Sequence, residues 1–228
     1  MAETPDRSVF YDELLTSYGE TLTARPHAMG FFDWFQKQGA DALASGRHDA
    51  DLLFRRVGIT FNVYGDQEGA ERLIPFDLIP RILTAAEWST LERGLAQRVN
   101  ALNAFLQDIY HEQRIIAEKI VPADLIHQNP QYRPELHGVK LPHDVWAHIS
   151  GIDIVRAEKG EFYVLEDNLR VPSGVSYMIE DRKVMMRLFP EIFASNSVAP
   201  VEHYPDLLLE HLRSIAPVGV ENPTVVVL

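Results

Sequence analysis

The chain has 228 residues, 46% of them hydrophobic, with 21 Lys plus Arg against 33 Asp plus Glu, a formal charge of −12, and no cysteine. An acidic chain repels phosphate backbones, which argues against a dedicated nucleic-acid binder, and no basic stretch reverses that reading. Without cysteine there is no disulfide framework, thiolate zinc site or cysteine nucleophile.

The first residues, Met1-Ala2-Glu3-Thr4-Pro5-Asp6, lack the basic start and apolar core of a signal peptide. No run approaches the roughly eighteen apolar residues that span a bilayer, so the composition reads as a cytoplasmic protein without a membrane partner. Residues 1–57 read as a mixed lead-in segment, with Phe31, Phe32, Trp34 and Phe35 clustered and Gly39 and Gly46 punctuating it. Short helices there would pack Phe35, Ala42 and Leu43 on one face; a segment wrapping over a larger body fits equally well.

Val57–Tyr64 alternates apolar with small or polar residues and predicts a strand, Gly65–Gly69 a turn, and Leu73–Phe76 the returning strand, edged by Pro75. Thr84 and Glu87 form a capping-box pattern that opens a long helix, read as residues 85–117. Its apolar stripe, Trp88, Leu91, Leu95, Val99, Leu102, Phe105, Leu106 and Ile109, predicts packing against a core. Pro122, Pro130, Pro134 and Pro142 then break residues 120–145 into short elements.

His148–Arg156 and Glu161–Asn168 read as a β-hairpin around Ala157-Glu158-Lys159-Gly160. A two-residue loop would set Asp153 directly opposite Glu166, and a four-residue loop would make Glu166 a diagonal neighbour. In both registers Asp153, Glu166 and Asn168 share one face while Ile152, Ile154, Tyr163 and Leu165 form the other. Two carboxylates meeting across a hairpin repel unless protonated, solvated or bridged by a cation. Mg²⁺ takes oxygen ligands from one or two carboxylates and fills its octahedron with water and phosphate oxygens, so these three residues suit a nucleotide-bound magnesium. A merely solvated hairpin face is the alternative.

The loop after it, Leu169–Tyr177, is rich in small and hydroxyl residues, and Arg170 and Arg182 are suited to pairing with carboxylate or phosphate oxygens; a plain turn into a solvated helix is the other reading. The sequence has no Gly-x-x-x-x-Gly-Lys-Ser/Thr loop, Gly-x-Gly-x-x-Gly fingerprint or Gly-x-Ser-x-Gly elbow. His143 and His148 lack the spacing of a helical zinc pair and read as structural or surface residues. Thr224–Leu228 read as the start of a buried strand, which suggests a piece of a longer protein.

Four stretches, Phe76–Leu83, Ala101–Tyr110, Gly151–Asp153 and Leu165–Tyr177, closely resemble the circularly permuted ATP-grasp family, type 2, a group similar to glutathionylspermidine synthase and related carboxylate–amine ligases. The resemblance runs from about Gly58 to the last residue. It implies an α/β (α+β) fold, a mainly antiparallel sheet flanked by helices, with residues 58–228 as the N-terminal part of the permuted domain. It also implies that ATP phosphorylates a carboxylate and an amine displaces the acyl-phosphate. The substrates would be small-molecule or peptide acids and amines, and ATP and Mg²⁺ the cofactors.

The family's Asp, then Glu-x-Asn, falls on Asp153, Glu166 and Asn168 as the metal ligands; Ser173 would sit near the acid substrate and Arg170 would steady the acyl-phosphate. Two departures stand out. Gly151 replaces the arginine that synthetase relatives place two residues before the first ligand, and the ATP-gripping lysines and glycine-rich loop fall outside these residues. Hence a second expectation, a non-catalytic binding or scaffold protein on the same fold. A third, that Asp153 and Glu166 are the acid pair of a glycoside hydrolase, rests on the paired carboxylates alone.

Overall fold

The structure is a computed structural model that describes residues 11–18, 21–58, 60–62 and 71–226. The chain forms two compact units, and each is built from three separate stretches. The first comprises Met1–Thr84, Arg156–Glu161 and Ser173–Glu202, and the second Ala85–Val155, Phe162–Pro172 and His203–Leu228.

The first described elements are strands β1 (Leu15–Tyr18) and β2 (Thr21–Ala24), antiparallel, with Leu15 paired to Ala24 and Tyr18 to Thr21. Helix α1 (Met29–Lys37) carries the aromatic cluster, and α2 (Ala40–Val57) follows. The inward face of α2 is Gly46, Ala50 and Phe54, spaced four apart, which stacks them on one side of the helix. At its end Gly58, at φ 77°, donates its N–H to the Phe54 carbonyl at 3.0 Å, a left-handed cap that glycine adopts without steric cost.

β3 (Thr60–Asn62) then pairs antiparallel with β4 (Glu71–Leu73), Thr60 facing Leu73. The expected hairpin therefore exists but is shorter at both ends: Val57 belongs to α2, and Ile74–Phe76 lie beyond the strand. The expected turn at Gly65–Gly69 lies outside the described residues.

Helix α3 (Ala85–Ile109) starts directly after Thr84, as the capping pattern predicts, but stops at Ile109 instead of reaching 117. The reason is Asp108, whose carboxylate accepts the N–H groups of Arg114 and Ile115 at 3.0 Å each and so starts a new helix, α4 (Arg114–Ala117), after left-handed Gln113. Leu91 and Ile109 are buried, whereas Trp88, the first residue of the predicted stripe, is 54% exposed. After α5 (Ala123–His127), the chain enters the hairpin of β5 (Gly151–Arg156) and β6 (Phe162–Asn168). Helices α6 (Val175–Leu188), α7 (Pro190–Ser195) and α8 (Tyr204–Ser214) complete the described elements. Thr224–Val226, the described part of the expected final strand, is in no regular element.

The first unit is held by Phe31 of α1, Ala50 and Phe54 of α2, Phe76, and Val184, Met185, Phe189 and Ile192 from α6 to α7. Trp34 meets Phe189 edge-on at 4.8 Å and Phe54 lies 5.2 Å from Phe76. In the second unit Ile109, Tyr110 and Ile126 form the core, and Tyr110 is stacked between Tyr132 at 5.1 Å and Trp146 at 4.8 Å. No helix among the described residues is long and apolar enough to cross a membrane.

Candidate functional site

The β5–β6 hairpin carries the candidate chemistry. Its loop has three residues, Glu158-Lys159-Gly160, so neither the two- nor the four-residue loop forms. Gly160 N–H donates to the Ala157 carbonyl and Ala157 N–H to the Glu161 carbonyl, both at 2.8 Å. Gly160 sits at φ 82°, and a Cβ there would lie 2.6 Å from the Tyr11 ring, so both backbone and space require glycine.

A three-residue loop with unbroken alternation would place Asp153 and Glu166 on opposite faces. The structure nevertheless joins them by a side-chain hydrogen bond. Asn168 joins them, its Nδ2 donating to Glu166 Oε1 at 3.1 Å. Partial desolvation, then the hydrogen bond and charge of Glu166, hold the Asp153 carboxyl above the usual aspartate range. A cation at this face would offset the repulsion between the two carboxylates.

Asp153 and Glu166 are exposed, and Asn168 is half-buried. The opposite face is less protected than its sequence implies, with Tyr163 54% and Leu165 68% exposed. Among the described residues no group of three or more His, Cys, Asp or Glu is placed to hold a metal ion. Two carboxylates and an amide oxygen are fewer ligands than a closed protein cage needs, but they match a magnesium that takes its remaining ligands from phosphate and water.

Sequence reasoning missed how this face is supported. Asn103 Oδ1 on α3 accepts the N–H groups of Trp146 and Ala147 at 2.7 and 2.9 Å, and Gln107 Oε1 accepts the Trp146 indole N–H at 2.6 Å. The stretch leading into β5 is thereby tied to α3 by two polar residues of the Ala101–Tyr110 motif. Between the ligand positions, Asp167 receives both Nε and Nη2 of Arg98 at 2.6 Å each.

The hairpin turn has its own anchor in the first unit. Glu13 takes Nε and Nη2 of Arg81 at 2.8 and 2.6 Å and Nη1 of Arg156 at 3.4 Å. The Arg156 side chain is only 4% exposed and lies 4.8 Å from the Tyr11 ring centre. The hydrogen bond from Arg81, opposed by desolvation and aided by the charges of Arg81 and Arg156, holds Glu13 below the usual glutamate range. A lowered carboxyl contributes stability that is present above the unfolded value, near pH 4.3, and is lost as pH falls through the folded value. Urea midpoints should therefore separate wild type from Glu13→Gln most widely above about pH 5 and converge on acidification. A constant separation down to pH 3 would show that Glu13 is not held as an anion.

The remaining candidates divide between the units. Arg170, in the second, is exposed and donates Nη1 to Gln131 Oε1 at 3.0 Å. Ser173 and Arg182 belong to the first: Ser173 precedes Gly174, the residue before α6, and Arg182 donates Nη1 to the Ala199 carbonyl at 2.8 Å with its guanidinium 5.8 Å from the Phe193 ring centre. His148 stacks on His211 at 5.7 Å.

Gly151 has a steric explanation. A Cβ at this position would lie 2.8 Å from Pro172 Cβ and 3.6 Å from Asn168 Cβ, so the space where an arginine side chain would leave the strand is occupied. Gly151→Arg should cost about 1–3 kcal/mol by overpacking and lower the melting midpoint by several degrees. A variant as stable as wild type would show that Pro172 yields easily.

A family described as a circularly permuted ATP-grasp matches residues 80–228, and the chain belongs to that family. It is 44% identical over 223 residues to an uncharacterized protein of Synechocystis sp., covering 98% of this chain and 46% of that protein. It is 40% identical over 228 residues to an uncharacterized protein of Mycobacterium tuberculosis, covering 92% of this chain and 41% of the other. A Frankia alni protein provisionally named glutamate–cysteine ligase 2-3 is 39% identical over 223 residues, 96% of this chain and 25% of that protein. The chain thus spans less than half the length of these curated relatives.

Proposed function

We propose that the protein carrying this chain is an ATP- and Mg²⁺-dependent carboxylate–amine ligase, and that residues 58–228 supply the metal-binding part of its permuted ATP-grasp domain. The observation that carries the reading is the Asp153–Glu166 carboxyl pair, joined by a hydrogen bond and flanked by Asn168, at the family's Asp and Glu-x-Asn positions. The ligase name of the Frankia relative supports the reaction class. In this reading Asp153, Glu166 and Asn168 would hold magnesium, which when bound would supply charge neutralisation at the nucleotide phosphates. The acid's carboxylate attacks the γ-phosphorus and releases ADP; the amine then attacks the acyl carbon, forms the amide, and releases phosphate and a proton. Arg170 would contact the acyl-phosphate, and Ser173 and Arg182 the acid substrate. The protein would work in the cytoplasm on small-molecule or peptide substrates.

The second reading, a non-catalytic binding protein on the same fold, is favoured by Gly151, because Pro172 closes the space that an arginine would use. One pair of measurements separates the two: ADP release from the full-length protein against panels of acids and amines, and a thermal shift with ATP with and without Mg²⁺. ADP release requiring both an acid and an amine supports the ligase. A nucleotide-dependent shift of roughly 2.7 kcal/mol at about a hundred times Kd, without turnover on any pair, supports the binding protein. Absence of both removes ATP from the reading altogether.

A further inference from the structure

The carboxyl pair sits on a two-stranded hairpin in which no strand residue is fully buried, and a two-stranded hairpin is marginal in its own right. Its ligand geometry therefore depends on something outside the hairpin. The side chains of Glu166 and Asn168 meet through a hydrogen bond, so Asp167 between them points to the other side of β6. There it receives the guanidinium of Arg98, from the middle of α3, through two parallel hydrogen bonds of 2.6 Å. A forked guanidinium–carboxylate pair fixes orientation as well as distance, because both partners are planar and two bonds forbid rotation about either one. The Asp167 side chain is 17% exposed and that of Arg98 43%, so the pair closes at the junction of strand and helix.

We infer that Arg98 is a positioning residue for the metal-binding face: by gripping Asp167 it prevents β6 from rolling about its own axis and keeps Glu166 and Asn168 aimed at the same point as Asp153. This rests on the metal reading proposed above. Arg98 and Asp167 touch neither metal nor nucleotide in this reading; they act through the strand. A partly exposed ion pair contributes little to folding, so its removal should leave the fold intact while loosening the site. That difference separates positioning from plain structural support.

The test is Mn²⁺ titration of the full-length protein in the presence of ATP, followed by the electron paramagnetic resonance of free and bound Mn²⁺. The variants are Arg98→Ala, Arg98→Lys, Asp167→Asn, the Arg98→Ala/Asp167→Asn double variant, and Glu166→Gln. Outer partners of metal sites are worth about 10–100-fold in affinity, so Arg98→Ala and Asp167→Asn should each weaken Mn²⁺ binding by about tenfold or more. The double variant should be no worse than either single, since both remove the same tie. Arg98→Lys, which keeps the charge but not the fork, should fall between wild type and Arg98→Ala. Melting midpoints should move by no more than about 4 °C.

Wild-type Mn²⁺ affinity in Arg98→Ala and Asp167→Asn, alongside lost binding in Glu166→Gln, would overturn the positioning role and leave the metal face standing. Weaker binding accompanied by midpoint drops well beyond 4 °C would also overturn it, as general destabilisation. No Mn²⁺ binding by the wild type, or binding unaffected by Glu166→Gln, would instead remove the metal reading itself.

Discussion

Replacing Glu166 with glutamine in the full-length protein is expected to abolish Mg²⁺-dependent binding and turnover of ATP, with a loss of roughly 100-fold or more. Even outer partners of metal sites are worth about 10–100-fold, and a direct ligand should exceed them. The substitution is nearly isosteric and keeps an Oε1 to accept the Asn168 amide, so it removes one negative charge and little else. Glu166 is exposed, and its side chain does not support a core, so the fold should survive. Asp153, no longer beside an anion, should titrate closer to an ordinary aspartate. Nucleotide thermal shifts and ADP release read the outcome directly. Undiminished turnover in Glu166→Gln would remove the hairpin face from the mechanism.

The largest effect on stability is expected at Phe54, which is 1% exposed and packs on Phe76 at the centre of the first unit. Phe54→Ala should cost about 3–5 kcal/mol, the lost transfer energy of the ring plus that of the void it leaves. At roughly 2–4 °C per kcal/mol for a chain of this length, the midpoint should drop by about 10 °C or more. Trp34 lies in the same cluster and reports the transition by its fluorescence. A midpoint within about 3 °C of wild type would mean that the site collapses around the deletion without penalty, contrary to a close-packed core.

The sequence showed most where a local rule repeats over many residues. Helix α3 was legible because Leu91, Leu95, Val99, Leu102 and Ile109 mark one stripe through about five turns, and β5–β6 because alternating residues flank a turn with glycine. Helix α2 was nearly invisible, since its inward face is Gly46, Ala50 and Phe54, and two of those three residues carry little hydrophobic signal. The hairpin loop was misjudged in length because Gly160 suits a two-residue turn and a left-handed third position equally well.

At the site, Asp153, Glu166 and Asn168 were visible as oxygen donors on one hairpin. Their supports were not, because Arg98 meets Asp167 across 69 positions and Asn103 meets Ala147 across 44, and no periodicity marks such pairs. Gly151 was legible only as a departure; the proximity of Pro172 that explains it belongs to the folded chain.

The interleaving of the two units bears on how the molecule is made. Phe31 and Phe54 leave the ribosome long before Val184, Met185 and Ile192, the residues that cover them. Over that interval the apolar faces of α1 and α2 have no native partner from α6 or α7, and synthesis at about 5–20 residues per second leaves them waiting for roughly ten seconds. The second unit waits likewise for residues 203 onward. The first unit has all its stretches only at Glu202, so until then the nascent chain holds two unfinished cores at once, and general chaperones have an extended window in which to bind it.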